Sequence, residues 1–212
     1  MADGGPAIGW SVEMSEVTNP SEVSKSMRVI SVVVSSIDGY ITKHDEGGTT
    51  QWASPEDQKH FYSFMASCDV SIMGGETYRS SRSYILSSLE ASNRRRIVWT
   101  RDPSQHDGDA VVGKLEFSSA PLASIVDSLR ADGHERCCVL GGGNVYGALM
   151  AENLIDELVL TLEPVVFGAG VRHTGLDHVC DARFTLSAVE RLNADTLLLT
   201  YERPTVGLAQ NG

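Results

Sequence analysis

The sequence predicts an α/β protein: a mostly parallel central sheet between two helical layers, closed at its C-terminal edge by an antiparallel hairpin. Three observations predict it. Strand and helix signals alternate through most of the chain. The strand-like runs Val29 to Val34 and Cys137 to Leu140 are almost continuously apolar, as strands covered on both faces must be. The last two runs, Phe184 to Leu192 and Thr196 to Tyr201, follow one another across the turn signal Asn193-Ala194-Asp195, with no helix between them.

Residues 1–26 are rich in Gly, Ser, Glu, Pro and Thr without sustained periodicity and are expected to be a flexible tail, with the folded domain over 27–204 and a short tail at 205–212. Val29 to Val34 is a β-branched central strand, and Asp38-Gly39 after it is a turn signal. Ser54-Pro55-Glu56-Asp57 starts a helix: Ser54 can cap it, Pro55 suits its first position, and an acid lies three residues after the cap. The apolar stripe Phe61, Phe64, Met65 and Cys68 carries this helix to about Cys68. Stepping back four residues from Phe61 reaches Asp57, which therefore faces inward. Two readings of Asp57 stand together: a capping-box acid, and a carboxylate at the rim of a pocket able to bind an amidine-like heterocycle or relay a proton.

Asp69 to Met73 is a second strand, ending in Gly74-Gly75-Glu76-Thr77-Tyr78 and a short helix. Arg94-Arg95-Arg96 leads into the strand Ile97 to Thr100, and Arg101-Asp102-Pro103 is a turn. Clustered arginine most often marks a solvated face, but Arg101 lies at a strand's carboxyl end, where open α/β sheets bind ligands. Short apolar pieces at Val111-Val112 and Leu115 to Phe117 precede a helix over Pro121 to Ala131. Then comes Cys137-Cys138-Val139-Leu140-Gly141-Gly142-Gly143-Asn144-Val145-Tyr146, a strand running through three glycines into a helix from Asn144 to about Ala151. Such a turn is either a packing device or a cradle in which the helix N-terminus holds an anion, a dinucleotide pyrophosphate first of all. Asp156 to Leu162 is a strand that ends at Glu163-Pro164.

The formal net charge of −11 argues against a broad basic surface for nucleic acid or anionic lipid and favours small-molecule partners. No apolar run reaches the roughly 18 residues of a membrane span, and the N-terminus lacks signal-peptide order, so a cytoplasmic protein is expected. Cys68, Cys137, Cys138 and Cys180 show no C-x-x-C pair and are read as reduced, mostly buried thiols. His178 and Cys180 alone are a weak metal pattern, and no metal is expected.

Four motifs carry a resemblance: Ser36-Ile37-Asp38-Gly39-Tyr40-Ile41; Gln51-Trp52 with Ser54-Pro55-Glu56; Met73-Gly74-Gly75 with Thr77-Tyr78; and Leu140 to Tyr146 followed by Asp156-Glu157-Leu158. From about Met27 to Arg203 the chain resembles the dihydrofolate reductase-like superfamily, and within it the reductase domain of riboflavin biosynthesis. The resemblance implies NADPH as cofactor. Its pyrophosphate would lie on Leu140, Gly141, Gly142, Gly143, Asn144, Val145 and Tyr146, its adenosine phosphate side on Gly74, Gly75, Thr77, Thr100 and Arg101, and its nicotinamide against the backbone of Ile41. Hydride would pass to a substrate over Trp52, Asp57 and Thr161. Homodimers are common among these relatives, and the open edge of the terminal hairpin is compatible with one.

The sequence also departs from both patterns. Gly75 stands where dihydrofolate reductases usually carry a basic residue, Leu140 where the riboflavin reductase commonly has a substrate-binding acid, and Arg79-Ser80-Ser81-Arg82 does not match the acid and arginine expected for a phosphoribosyl substrate. Asp57 lies at the spacing from Trp52 expected of the pterin-binding acid of the folate enzymes. Three functions follow: reduction of a ribosylaminopyrimidine phosphate, reduction of a dihydrofolate or pterin through Asp57, and a nucleotide-binding paralogue without catalysis.

Overall fold

A computed structural model describes residues 27–44, 51–175 and 181–204. Eight strands form one sheet in the order β4-β3-β2-β5-β1-β6-β8-β7. The strands are β1 (Arg28–Ser36), β2 (Val70–Gly74), β3 (Arg95–Trp99), β4 (Leu115–Ser118), β5 (Arg136–Val139), β6 (Glu157–Glu163), β7 (Thr185–Arg191) and β8 (Leu197–Glu202). β4 through β6 run parallel, and β8 and β7 close the edge antiparallel, with Thr161 opposite Leu198 and Val189 opposite Leu199. This is the predicted architecture. The predicted tails lie outside the described residues.

Strand alternation distributes the helices. Val29 and Val33 of β1 face one cluster with α3 (Leu122–Ala131) and α4 (Gly143–Ala151), while Ile30 and Val32 face the opposite one with α1 (Pro55–Ala66). On this second face α2 (Gly75–Ser87) covers β2, β3 and β4 through Tyr78 and Ile85, joined by Leu89 just beyond its end, which pack on Met73, Val98 and Leu115. The second helix, expected to be short, runs for 13 residues. Its many serines are weak helix formers, and the burial of Tyr78 and Ile85 outweighs their propensity.

The first helix forms as its cap predicts. Ser54 Oγ accepts from the Asp57 amide at 3.2 Å, and Pro55 occupies the first turn. Ser67 ends the helix just before Cys68, the residue its stripe pointed to. Cys68, Cys137 and Cys138 are buried and free, while Cys180 and His178 lie outside the described residues. Among the described residues no cluster of His, Cys, Asp and Glu has the form of a metal site, and no helix is long and apolar enough to cross a membrane.

Candidate active site

α1 and α2 leave a cleft of about 420 Å³ over the central strands. At one end lie the two glycine turns. They touch: the Gly74 amide donates to the Gly141 carbonyl at 2.7 Å, and a Cβ on Gly74 would stand 3.1 Å from Val145. Gly141 has φ +99°, a backbone open to glycine, and a Cβ there would meet the Tyr146 ring at 3.1 Å. The peptide between Gly141 and Gly142 is cis. Tyr146 is held in turn by its hydroxyl, which donates to the Val32 carbonyl.

α2 and α4 thus begin side by side, capped by Gly74 and Gly142 with no side-chain acceptor at either. Each leaves first-turn amides without intrahelical partners, and the Thr77 hydroxyl lies 3.5 Å from where a Cβ on Gly142 would be. Two helix N-termini, a hydroxyl donor and glycines that admit close approach fit a pyrophosphate.

The sequence-predicted residues divide into groups. Gly141, Gly142, Thr77, Tyr146, Leu140, Ile41 and Asp57 line the cleft. Gly75 and Thr100 sit behind the turn, where a Cβ on Gly75 would meet Thr100 Oγ1 at 3.2 Å and Arg79 Nη1 at 3.5 Å; Arg101 follows, exposed. The Ile41 amide donates to the Val171 carbonyl at 2.8 Å. The Val145 side chain is in the core. Gly143 and Asn144 seat another segment: a Cβ on Gly143 would stand 2.7 Å from the Arg172 carbonyl, and one on Gly175 2.8 Å from Asn144 Oδ1.

Asp57 is only 6% exposed. Burial raises its pKa; the Thr161 hydroxyl facing it opposes that rise, and the negative charge of Glu163 adds to it. Thr161, on β6, is itself buried. Glu163, which sequence reasoning passed over as a strand end, is 3% exposed and accepts from the Ser54 amide at 2.7 Å and Thr196 Oγ1 at 2.8 Å. It anchors the start of α1 to the sheet and so fixes the place of Asp57. Trp52 packs edge-on against Phe167, with ring centroids 4.9 Å apart, and its Nε1 is buried without a partner among the described residues. It flanks the cleft and does not line it.

Asp38 is a second residue whose role the sequence did not reveal. It accepts from Ser36 Oγ at 2.7 Å, the Gly168 amide at 2.7 Å and the Phe167 amide at 3.2 Å, and its pKa falls to about 2, led by the Ser36 bond. These bonds tie the loop after β1 to the loop after β6. In the sequence Asp38 stands out as the Asp38-Gly39 turn signal and as part of the Ser36 to Ile41 motif, and neither assigns it this tie between loops.

The family model for the RibD C-terminal domain matches residues 27–198. The chain belongs to this family. Its fold is that of several solved structures. A putative riboflavin biosynthesis protein from Shewanella sp. PV-4 is 22% identical with a TM-score of 0.64, over 84% of this chain and 100% of that one. RibD from Acinetobacter baumannii is 18% identical with a TM-score of 0.69, over 85% of this chain but 59% of its own length. Dihydrofolate reductase from Enterococcus faecalis, in complex with NADP(H), is 21% identical with a TM-score of 0.57, over 84% of this chain and 97% of that one. A curated relative, the uncharacterized protein YwjB of Bacillus subtilis, is 23% identical over 147 residues, 68% of this chain and 80% of that protein. As a member of the RibD C-terminal family, the chain falls among the reductases of the dihydrofolate reductase-like fold.

Proposed function

We propose that the protein is a cytoplasmic, NADPH-dependent reductase that delivers hydride to a small heterocyclic substrate of the ribosylaminopyrimidine phosphate type. The observation that carries the reading is that a single cleft joins the paired glycine turns to a buried Asp57 whose pKa burial raises. The nicotinamide supplies the hydride. The chain binds and orients. The amides of Gly142 to Asn144 and of Gly75 to Thr77, with the Thr77 hydroxyl, hold the cofactor's phosphates, and the Ile41 carbonyl faces the reacting ring. Gly75, Thr100, Arg79 and Arg101 form the adenosine phosphate end. Asp57 holds the substrate or its proton, Thr161 orients the Asp57 carboxyl, and Trp52 and Phe167 shield it from water.

NADPH and NADH oxidation is to be followed with 5-amino-6-(5-phosphoribosylamino)uracil and dihydrofolate side by side. Turnover of the first with NADPH is expected. Gly142→Val should abolish cofactor binding, and unchanged NADPH affinity in that variant sinks the assignment of the turn. Asp57 beside Thr161 favours a second reading, pterin or dihydrofolate reduction, which equal dihydrofolate turnover by Asp57→Asn and the unaltered protein would rule out. NADPH binding without oxidation of any substrate points instead to a non-catalytic nucleotide-binding paralogue. The reading includes a homodimer across the open β7 edge, where Leu186 and Val189 are exposed. A single monomer mass in sedimentation removes that part of it.

A further inference from the structure

Alternation along β5 separates two adjacent cysteines. Cys137 faces one core cluster with α3 and α4, and Cys138 faces the opposite one with α1. There Cys138 meets Cys68, which follows the C-cap of α1. The backbone holds the two segments together: the Asp69 amide donates to the Arg136 carbonyl at 3.2 Å, and Cys138 Sγ donates to the Val70 carbonyl at 3.6 Å, two residues along from Cys68. Cys68 Sγ donates to the Phe64 carbonyl at 3.5 Å, with Ser67 Oγ 4.0 Å away. The two thiols differ in access. Cys68 lines an outer cavity of about 770 Å³ between the C-terminal ends of α1 and α2, bounded also by Tyr62, Tyr84 and Arg94, whereas Cys138 is fully buried and does not line it.

The surroundings are cationic. Arg136 faces Cys68 and holds its guanidinium 5.4 Å from the centre of the Phe64 ring, and its Nε is buried without a partner among the described residues. Arg96 and Cys138 flank Ser71 in the sheet register. Arg96 is only 2% exposed and bonds the Arg94 carbonyl at 3.0 Å, whereas Arg95 bonds Glu116 and Asp132. Asp69, also on the outer cavity, is engaged by the amides of Glu135 and Arg136 and by His134. The Cys138 thiol facing it, helped by the Ser67 hydroxyl and the Arg136 guanidinium, lowers the Cys68 pKa against the opposing effect of burial. Cys138 keeps its proton, because the same contact and its own burial raise its pKa. A thiolate in a cavity wall with a protonated thiol behind it is the arrangement of an attacking and a resolving cysteine.

We propose that Cys68 and Cys138 form an oxidant-reactive dithiol, in which a hydroperoxide entering the outer cavity oxidises Cys68 and Cys138 then closes a disulfide with it. The Cys68 thiolate attacks one peroxide oxygen, the O–O bond breaks, and Cys68 becomes a sulfenic acid. The hydroxide released takes the proton of Cys138 and leaves as water. Cys138 sulfur then attacks Cys68 sulfur, the S–O bond breaks, and the second hydroxide takes up the proton that Cys68 had given to solvent. In sum, two thiols and one hydrogen peroxide give one disulfide and two waters. Arg136 favours the attacking thiolate. Cys137, on the other face of the sheet, takes no part. The site is independent of the reductase reading.

The full chain, unaltered and as Cys180→Ser so that the fourth cysteine offers no other partner, is to be treated with hydrogen peroxide at neutral pH. Free thiols are then alkylated, and the chain is digested and mapped by mass spectrometry without reductant, with fragmentation to tell Cys138 from Cys137. A peptide pair joined through Cys68 and Cys138 is expected, and dithiothreitol should abolish it. In Cys138→Ser the sulfenic acid should persist on Cys68 and be trapped by dimedone. Should that variant not fold, the map of the unaltered chain carries the test. Arg136→Met should slow the oxidation of Cys68 about threefold, the loss of thiolate for about half a pKa unit, and should move the pH profile of Cys68 alkylation upward; Arg136→Lys should restore both. Cys68 left free by peroxide, a bond to Cys137 in place of Cys138, or a rate and pH profile unmoved by Arg136→Met overturns the proposal.

Discussion

Thr161→Val keeps the side chain's shape and deletes the hydroxyl that faces Asp57. The carboxyl is 6% exposed, and burial already holds its pKa above the ordinary 3.8; the hydroxyl is the strongest influence pulling it back. A hydrogen bond to a charged group is worth about 1.5 kcal/mol at the low end of its range, and about 1.4 kcal/mol corresponds to one pKa unit. The Asp57 titration in Thr161→Val should therefore move upward by about one unit. Carboxyl-carbon NMR of aspartate-labelled protein reads this directly, without a substrate, and the acid limb of kcat/KM should move with it. The stability sign follows from the raised folded pKa. As pH rises past 3.8 the unfolded chain loses its proton first, so ionisation of Asp57 costs stability until the folded carboxyl has also titrated. The variant should be about 1.5 kcal/mol less stable than the unaltered protein at pH 7 and nearly equal to it near pH 3.8. A titration that stays within about 0.3 unit, or moves down, refutes the placement of Thr161 against Asp57.

Glu163→Gln preserves the acceptor for the Ser54 amide and removes a negative charge near Asp57, so the Asp57 titration should shift down in the same NMR experiment. Gly141→Ala forces a side chain onto φ +99° and against the Tyr146 ring. Urea unfolding should show a loss of about 1–3 kcal/mol, accompanied by weaker NADPH binding in calorimetry. His173 is held neutral by burial, its pKa lowered from 6.5 to about 4. The unfolded chain takes up that proton first, so stability should fall by up to about 3 kcal/mol between those values as pH drops, and His173→Asn should flatten that stretch of the urea profile.

Much of the frame is readable from local pattern. Continuous apolar runs mark the strands covered on both faces, Ser54-Pro55 fixes the start of α1, and the spacing from Phe61 is enough to turn Asp57 inward. The glycine turns are legible as phosphate-suited, but not that they are bonded to each other, because the contact from Gly74 to Gly141 joins distant parts of the chain. The same limit hides Glu163, whose partner at Ser54 lies 109 residues away. Arg96 is hidden for another reason. Alternation states that neighbours on a strand face opposite ways, but not which face is covered nor whether acids wait there. A run of three arginines therefore reads as a solvated face until the carboxylates opposite Arg95, and their absence opposite Arg96 among the described residues, are seen.

Gly143 and Gly170 bring main chain against main chain around the cleft mouth. A Cβ on Gly170 would stand 2.1 Å from the Thr42 carbonyl, and one on Gly143 2.7 Å from that of Arg172. Contacts of this kind do not depend on which side chains the neighbouring positions carry. A side chain at Gly143 would prise the loop at Arg172 from α4, and one at Gly170 would part that loop from the one at Thr42. A rim sealed in this way is held by backbone rather than by the side chains that line the cleft, so a change of lining leaves the seam in place.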